Sequence, residues 1–192
     1  MTTYGRFGLF RASPTPQQRD GRCRTGNAAV PQFSPIKINA ASTSGDGKYV
    51  VAVAAEGEAP TPNHGVLIWE EAYYAGYGKE PALFTSSDAD TAPANTQVQR
   101  VLLQSNIKIE LRNLSADDLD FDGMRTGADA YAGRTMFKPA DFSGLAIGNM
   151  VTPGAGGNDG IWKKTTDPAL AWGYVAEFDA ASKTVVFNLR TV

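Results

Sequence analysis

The side chains whose spacing comes closest to a chemical site are the carboxylates of Asp118-Leu119-Asp120-Phe121-Asp122-Gly123, with Asp129 at the twelfth position counted from Asp118. A calcium loop puts oxygen ligands at its first, third and fifth positions, a glycine at the sixth for the sharp turn, and a carboxylate at the twelfth. Here the twelfth residue is Asp where a bidentate Glu is usual, the eighth is Arg125, and Gly127 and Gly133 interrupt the helix that should follow. The segment reads as a solvated acidic turn, with calcium at Asp118, Asp120, Asp122 and Asp129 as the alternative.

Nucleophilic chemistry has one thiol, Cys23, set among Arg19, Arg22 and Arg24, whose positive charge favours thiolate. Its base would have to be His64, the sole imidazole, yet no cysteine-hydrolase signature surrounds either residue. In Thr61-Pro62-Asn63-His64-Gly65 the histidine reads as an exposed turn residue leading into a strand. One histidine also excludes the multi-histidine zinc sites. Glu70 and Glu71 are adjacent, so in a strand they face opposite sides and cannot act as an acid and base pair. Gly154-Ala155-Gly156-Gly157 lacks the Lys-Ser/Thr of a phosphate loop, and no serine sits in a Gly-x-Ser-x-Gly elbow. The expectation is a protein with no catalytic residues, no cofactor and no bound metal, and not an enzyme.

The remaining constellation is one of recognition. Residues 1–35 carry Arg6, Arg11, Arg19, Arg22 and Arg24 against one acid, Asp20, interleaved with Tyr4, Phe7, Leu9 and Phe10. Guanidinium forks bind carboxylates and phosphates, and aromatic side chains anchor interfaces. Pro14, Pro16, Pro31 and Pro35 prevent a continuous helix. The block reads as an extended, Arg-rich N-terminal arm that orders on a partner, with Arg6, Phe7, Phe10, Arg11, Arg19, Arg22 and Arg24 as its binding residues.

The elements that must position these groups are short. Twenty Gly and 11 Pro are spread as punctuation along 192 residues. Strand-like runs follow at Lys48 to Ala55, Gly65 to Glu70, Val98 to Leu103 and Ile107 to Arg112, the last alternating Ile107, Ile109 and Leu111 with Lys108, Glu110 and Arg112. Further runs are Leu145 to Val151, Ile161 to Lys164, Ala171 to Phe178 and Thr184 to Leu189, the final pair a hairpin across Asp179 to Ser182. His64-Gly65-Val66-Leu67-Ile68-Trp69-Glu70 is loosely similar to Trp172-Gly173-Tyr174-Val175-Ala176-Glu177-Phe178, too briefly to argue a repeat. No segment sustains an apolar stripe of helical period. The chain is therefore mainly β, a small β-barrel or sandwich-like core with an extended N-terminal arm and little helix. It divides into the arm (1–35), a β region (36–112), an acidic connection (113–139) and a C-terminal β region (140–192) that packs with the first. Burial of Phe121, Tyr131, Met136 and Phe137 would dock the connection on the core.

Composition bounds the function. Hydrophobic residues make up 42% and charged residues 20%, enough to bury a core, and the net charge of -2 excludes a polybasic binder of nucleic acid or membrane. No run approaches the roughly 18 apolar residues of a membrane-spanning helix. Gly5, Arg6 and Gly8 break the first ten residues before a secretory signal can form. A single cysteine allows no internal disulfide, consistent with a reducing cytoplasm.

Leu145-Ala146-Ile147-Gly148-Asn149-Met150-Val151, a Gly-rich turn, Ala171-Trp172-Gly173-Tyr174-Val175-Ala176-Glu177 and the closing Thr184-Val185-Val186-Phe187 together resemble the bacteriophage head-decoration, or capsid cement, proteins. The resemblance spans Ile36 to Val192. It implies a non-enzymatic virion protein on the outer capsid surface, made in the host cytoplasm. It also implies a homotrimer whose partner is the major capsid protein and which contacts neither membrane nor nucleic acid directly. Deleting Met1 to Arg24 should then weaken capsid attachment without unfolding the domain. Two alternatives remain open. One is a soluble sugar- or peptide-binding β module using Trp69, Tyr73, Tyr74 and Tyr77, with calcium at the acidic turn. The other is a different virion component, such as a tail-tube or head-completion protein.

Overall fold

The computed structural model describes residues 9–10, 19–31, 33–68, 91–92, 94–104, 107–112, 137, 142–154, 161–181 and 184–192. The first layer is a closed barrel of five strands: β2 (Arg19–Thr25), β4 (Pro35–Thr43), β5 (Tyr49–Val53), β6 (His64–Ile68) and β8 (Gln97–Leu102), in the order β2-β5-β4-β6-β8. β2 runs parallel to β5 and antiparallel to β8, so it closes the ring. A two-stranded ribbon, β3 (Val30–Pro31) with β7 (Thr91–Ala92), accompanies the barrel. The second layer is a six-stranded antiparallel sheet in the order β1-β9-β13-β12-β10-β11. It comprises β1 (Leu9–Phe10), β9 (Lys108–Arg112), β10 (Met150–Pro153), β11 (Trp162–Thr165), β12 (Gly173–Asp179) and β13 (Thr184–Leu189).

Two apolar clusters follow from this arrangement. One draws on every barrel strand, with Cys23, Ile36, Val51, Leu67 and Val98, and adds Val30 and Ala92 of the ribbon. The other lies between the layers, joining Phe33, Val66, Ile68 and Val101 to Ile109, Val151, Trp162, Trp172, Val175, Val185, Phe187 and Leu189. β6 serves both, because alternate side chains of a strand point to opposite faces. Leu67 belongs to the barrel cluster while Val66 and Ile68 belong to the interlayer cluster, and all five residues of the strand are buried. A continuous apolar run is what a strand covered on both faces requires.

Both fully buried tryptophans in the described residues come from the sheet layer and donate to barrel carbonyls. Trp162 Nε1 reaches Phe33 O at 3.2 Å and Trp172 Nε1 reaches Glu58 O at 2.8 Å. Buried indole nitrogens need partners, and here the partners tie one layer to the other.

The mainly β architecture with a barrel is the one read from the sequence. Three local expectations change. Residues 19–25, assigned to the extended arm, form barrel strand β2, with Cys23 fully buried. Alternation hides this strand, because a charged outer face and one small thiol inward look like loop composition. Removing Met1 to Arg24 would therefore take a strand out of the barrel, and the expectation that such a deletion leaves the domain folded is withdrawn. Residues 145–149, read as strand, form a turn in which Ala146 N donates to Asn149 Oδ1 at 3.0 Å and Gly148 adopts a φ of 87°. That positive φ suits glycine and ends any strand before Met150. Phe137 is buried and bridges Trp162, while Phe121, Tyr131 and Met136 lie outside the described residues.

Candidate functional site

The connection from β5 to β6 brings titratable groups together. Its middle, residues 55–58, reaches the sheet layer: Gly57 N donates to Pro153 O at 3.0 Å, and Lys163 Nζ meets Glu56 Oε1 at 2.6 Å. Gly57 has a φ of 61°, the left-handed conformation glycine permits without strain. This turns Glu58 back toward the barrel. Its carboxylate accepts from Lys37 Nζ of β4 at 2.9 and 3.0 Å and from Ala55 N at 2.7 Å. Burial acts to raise the Glu58 pKa, but the lysine and the amide outweigh it, and the carboxyl is held below its ordinary range.

His64 opens β6 from the turn Thr61-Pro62-Asn63-His64, closed by His64 N donating to Thr61 O at 2.9 Å. Far from being an exposed turn residue, it is 4% exposed, with its ring centroid 4.8 Å from that of Trp172. It pairs in register with Lys37 of β4 and lies against an indole, contacts that the turn residues alone do not reveal. Thr61 N donates to its Nδ1 at 2.8 Å, which places the proton of the neutral ring on Nε2. Nε2 lies 3.3 Å from Glu58 Oε1, within ion-pair range and without hydrogen-bond alignment. Burial lowers the His64 pKa against the opposing pull of Glu58.

Beneath the turn, Arg100 of β8 spreads its guanidinium. Nη1 donates to Pro62 O at 2.7 Å and to His64 O at 3.1 Å, and Nη2 reaches Asp20 Oδ2 of β2 at 3.4 Å. The arginine stem crosses β6 over Gly65, where a Cβ would strike Val101 O and Arg100 Cγ. Asp20 is also bound by Arg22, through Nε at 3.1 Å and the backbone amide at 3.0 Å. Burial acts to raise the Asp20 pKa, and the Arg22 hydrogen bonds together with the charges of Arg22 and Arg100 outweigh it and lower it. Cys23 departs from its expected thiolate character: burial, followed by the Asp20 charge, pushes its thiol up to about 11. The charges of Arg100 and Arg22 act to lower it and are outweighed, and Arg24 pairs with Asp46 instead.

A cleft of about 330 Å³ adjoins His64, lined also by Thr61, Pro62, Leu102, Leu103, Gln104, Thr191 and Val192. Thr61 Oγ1, 2.8 Å from His64 Nδ1, completes the order hydroxyl, imidazole, carboxylate. A nucleophile would need the Nδ1 lone pair to take its proton, and the Thr61 amide already occupies that lone pair. The arrangement is suited to holding the turn on Trp172 and Glu58.

Of the arginines assigned to partner binding, Arg22 is exposed and stands over the Tyr49 ring at 5.5 Å, and Arg24 pairs with Asp46 at 3.2 Å. Both sit on the outer face of β2. Arg19 begins that strand opposite Val101, and Phe10 in β1 pairs in register with Ile109. Arg6, Phe7 and Arg11 lie outside the described residues, as do Asp118, Asp120, Asp122, Asp129, Trp69, Tyr73, Tyr74 and Tyr77. Among the described residues no group of three His, Cys, Asp or Glu side chains is placed to hold a metal. Sequence reasoning missed Glu58, Lys37, Asp20 and Arg100. One signal was present, Thr61 three residues before His64, the spacing at which a turn's first residue meets its last.

Models of known protein families give no match to this chain, and no curated protein matches it at a significant level.

Proposed function

We propose that the protein is a structural virion component that binds the outer surface of a phage capsid and stabilises the mature shell by bridging copies of the major capsid protein. One observation carries the reading: the segments that resemble head-decoration proteins lie side by side, as the 145–149 turn and the adjacent strands β10, β12 and β13. That block is bolted to the barrel through Trp162, Trp172 and the residue 55–58 connection. The titratable groups that converge between the layers hold backbone and side chains in place, as a rigid cement requires. A homotrimer would bring three such bodies to one point on the lattice. A ligand that binds only the mature lattice stabilises it by mass action, and several modest contacts made together multiply in affinity.

The test is co-sedimentation of the purified full chain with mature capsids of the encoding phage, alongside light scattering of the free protein. Saturable binding, with a rise in the temperature at which the shells open, supports the reading. Absence of binding to mature shells would overturn it.

A further inference from the structure

The turn from Thr61 to His64 is held at both ends by one pair of residues. Thr61 O accepts from His64 N at 2.9 Å, and His64 Nδ1 accepts from Thr61 N at 2.8 Å. The second bond exists only while Nδ1 carries a lone pair. A proton arriving there turns an acceptor into a donor, so the Thr61 amide loses its partner. Thr61 Oγ1, also at 2.8 Å, becomes the acceptor for the new N–H.

The surrounding charges come from five elements. Glu58, on the β5–β6 connection, attracts a charged ring across 3.3 Å. Lys37 of β4 opposes it and occupies the same carboxylate. Arg100 of β8 holds a second positive charge under the turn, on Pro62 O and His64 O, and is offset by Asp20 of β2. Glu56 and Lys163 pair at the far end of the connection. Trp172, from the sheet layer, contributes no charge and one indole face. Thr61 and His64 also line the cleft, through which water can deliver the proton.

We propose that Thr61, His64 and Glu58 form a proton-operated latch between barrel and sheet. With the imidazole neutral, the turn is closed and the ring lies on Trp172. With the imidazole charged, the Thr61 amide is released, the new N–H passes to Thr61 Oγ1 while His64 N stays on Thr61 O, and the ring draws toward Glu58 and away from the indole. The device belongs to the fold and stands apart from the identity of the protein's partner.

The chain contains one histidine, so imidazole signals in a nitrogen-15-labelled sample of the full protein belong to His64. The test is a titration from about pH 7.5 to 4.5, following the imidazole nitrogens, the Thr61 amide and the Trp172 indole N–H. The expected result is an Nε2–H tautomer at neutral pH and a midpoint below the ordinary value of about 6.5. The Thr61 and Trp172 signals should shift with that same midpoint. Overturning results are an Nδ1–H tautomer, a midpoint at or above the ordinary value, Thr61 and Trp172 signals that stay still while the ring titrates, or global unfolding before it does. Thr61→Val keeps the amide and removes the hydroxyl that would receive the charged ring, so its midpoint should fall further. An unchanged or raised midpoint in a folded Thr61→Val protein also overturns the latch, and the wild-type titration decides alone if that variant does not fold.

Discussion

At the scale of single residues, the barrel is governed by one charge it cannot leave unpaired. Arg100 and Asp20 are each less than a tenth exposed and face each other at 3.4 Å. Removing one partner from such a pair strands the other, which costs more than replacing both. Asp20→Ala should lower the unfolding free energy by about 3 kcal/mol in urea denaturation. Adding Arg100→Met should recover part of that loss, since it removes the stranded charge together with the donors to Pro62 O and His64 O, and a double variant as unstable as the sum of the two singles would contradict the argument. Gly65 is fixed by a different constraint, the passage of the Arg100 stem and the Val101 carbonyl across its α-carbon. Gly65→Ala should cost more than about 2 kcal/mol. Gly45→Ala, where nothing stands within 4 Å, should stay within about 0.5 kcal/mol of wild type by the same measurement.

At the scale of elements, the strap between β5 and β6 decides how the layers respond to acid. The unfolded chain protonates histidine near pH 6.5. In the fold His64 lies below that, so the unfolded state takes the proton first and stability falls as the pH drops through this range. Glu58 is likewise lowered, so its contribution is complete above about pH 4.3 and is lost as the pH falls toward its folded value. Both slopes have the same sign. The urea midpoint should decline continuously from pH 7 to 4, with the lower part of the decline reduced in Glu58→Gln. A flat curve would show that neither group is linked to folding.

The same elements show what was legible in advance. A strand with one wet face announces itself: Lys108–Arg112 falls within one residue of where alternation put it, and Thr184–Leu189 lies where its apolar run put it. β2 escaped, since Arg19, Asp20, Arg22 and Arg24 dominate its composition and its barrel contribution is one thiol. The strap escaped for another reason. Glu58 and His64 are six residues apart and meet through a reversal at Gly57, while Trp172 arrives from more than a hundred residues away. Period and spacing carry no information about contacts of that range.

At the scale of the whole molecule, the barrel's closure separates two roles that the sequence joins in one Arg-rich stretch. β2 lies between β5 and β8, and it supplies Cys23 to the interior and Asp20 to Arg100. Deletion of residues 1–24 leaves both neighbours with open edges and Arg100 without its carboxylate, so it should yield a chain without a cooperative thermal transition. Deletion of residues 1–8 removes Arg6 and Phe7 and leaves every described strand intact. That shorter protein should melt within a few degrees of the full chain, since a loss of 1 kcal/mol shifts a domain of this size by only about 2–4 °C. If the arm reaches across a capsid boundary, the shorter protein should also occupy mature capsids less densely at equal concentration, because one of several linked contacts is gone. Equal occupancy would place the capsid contact on the folded body, and a cooperative transition after removal of residues 1–24 would show that β2 is dispensable to the barrel.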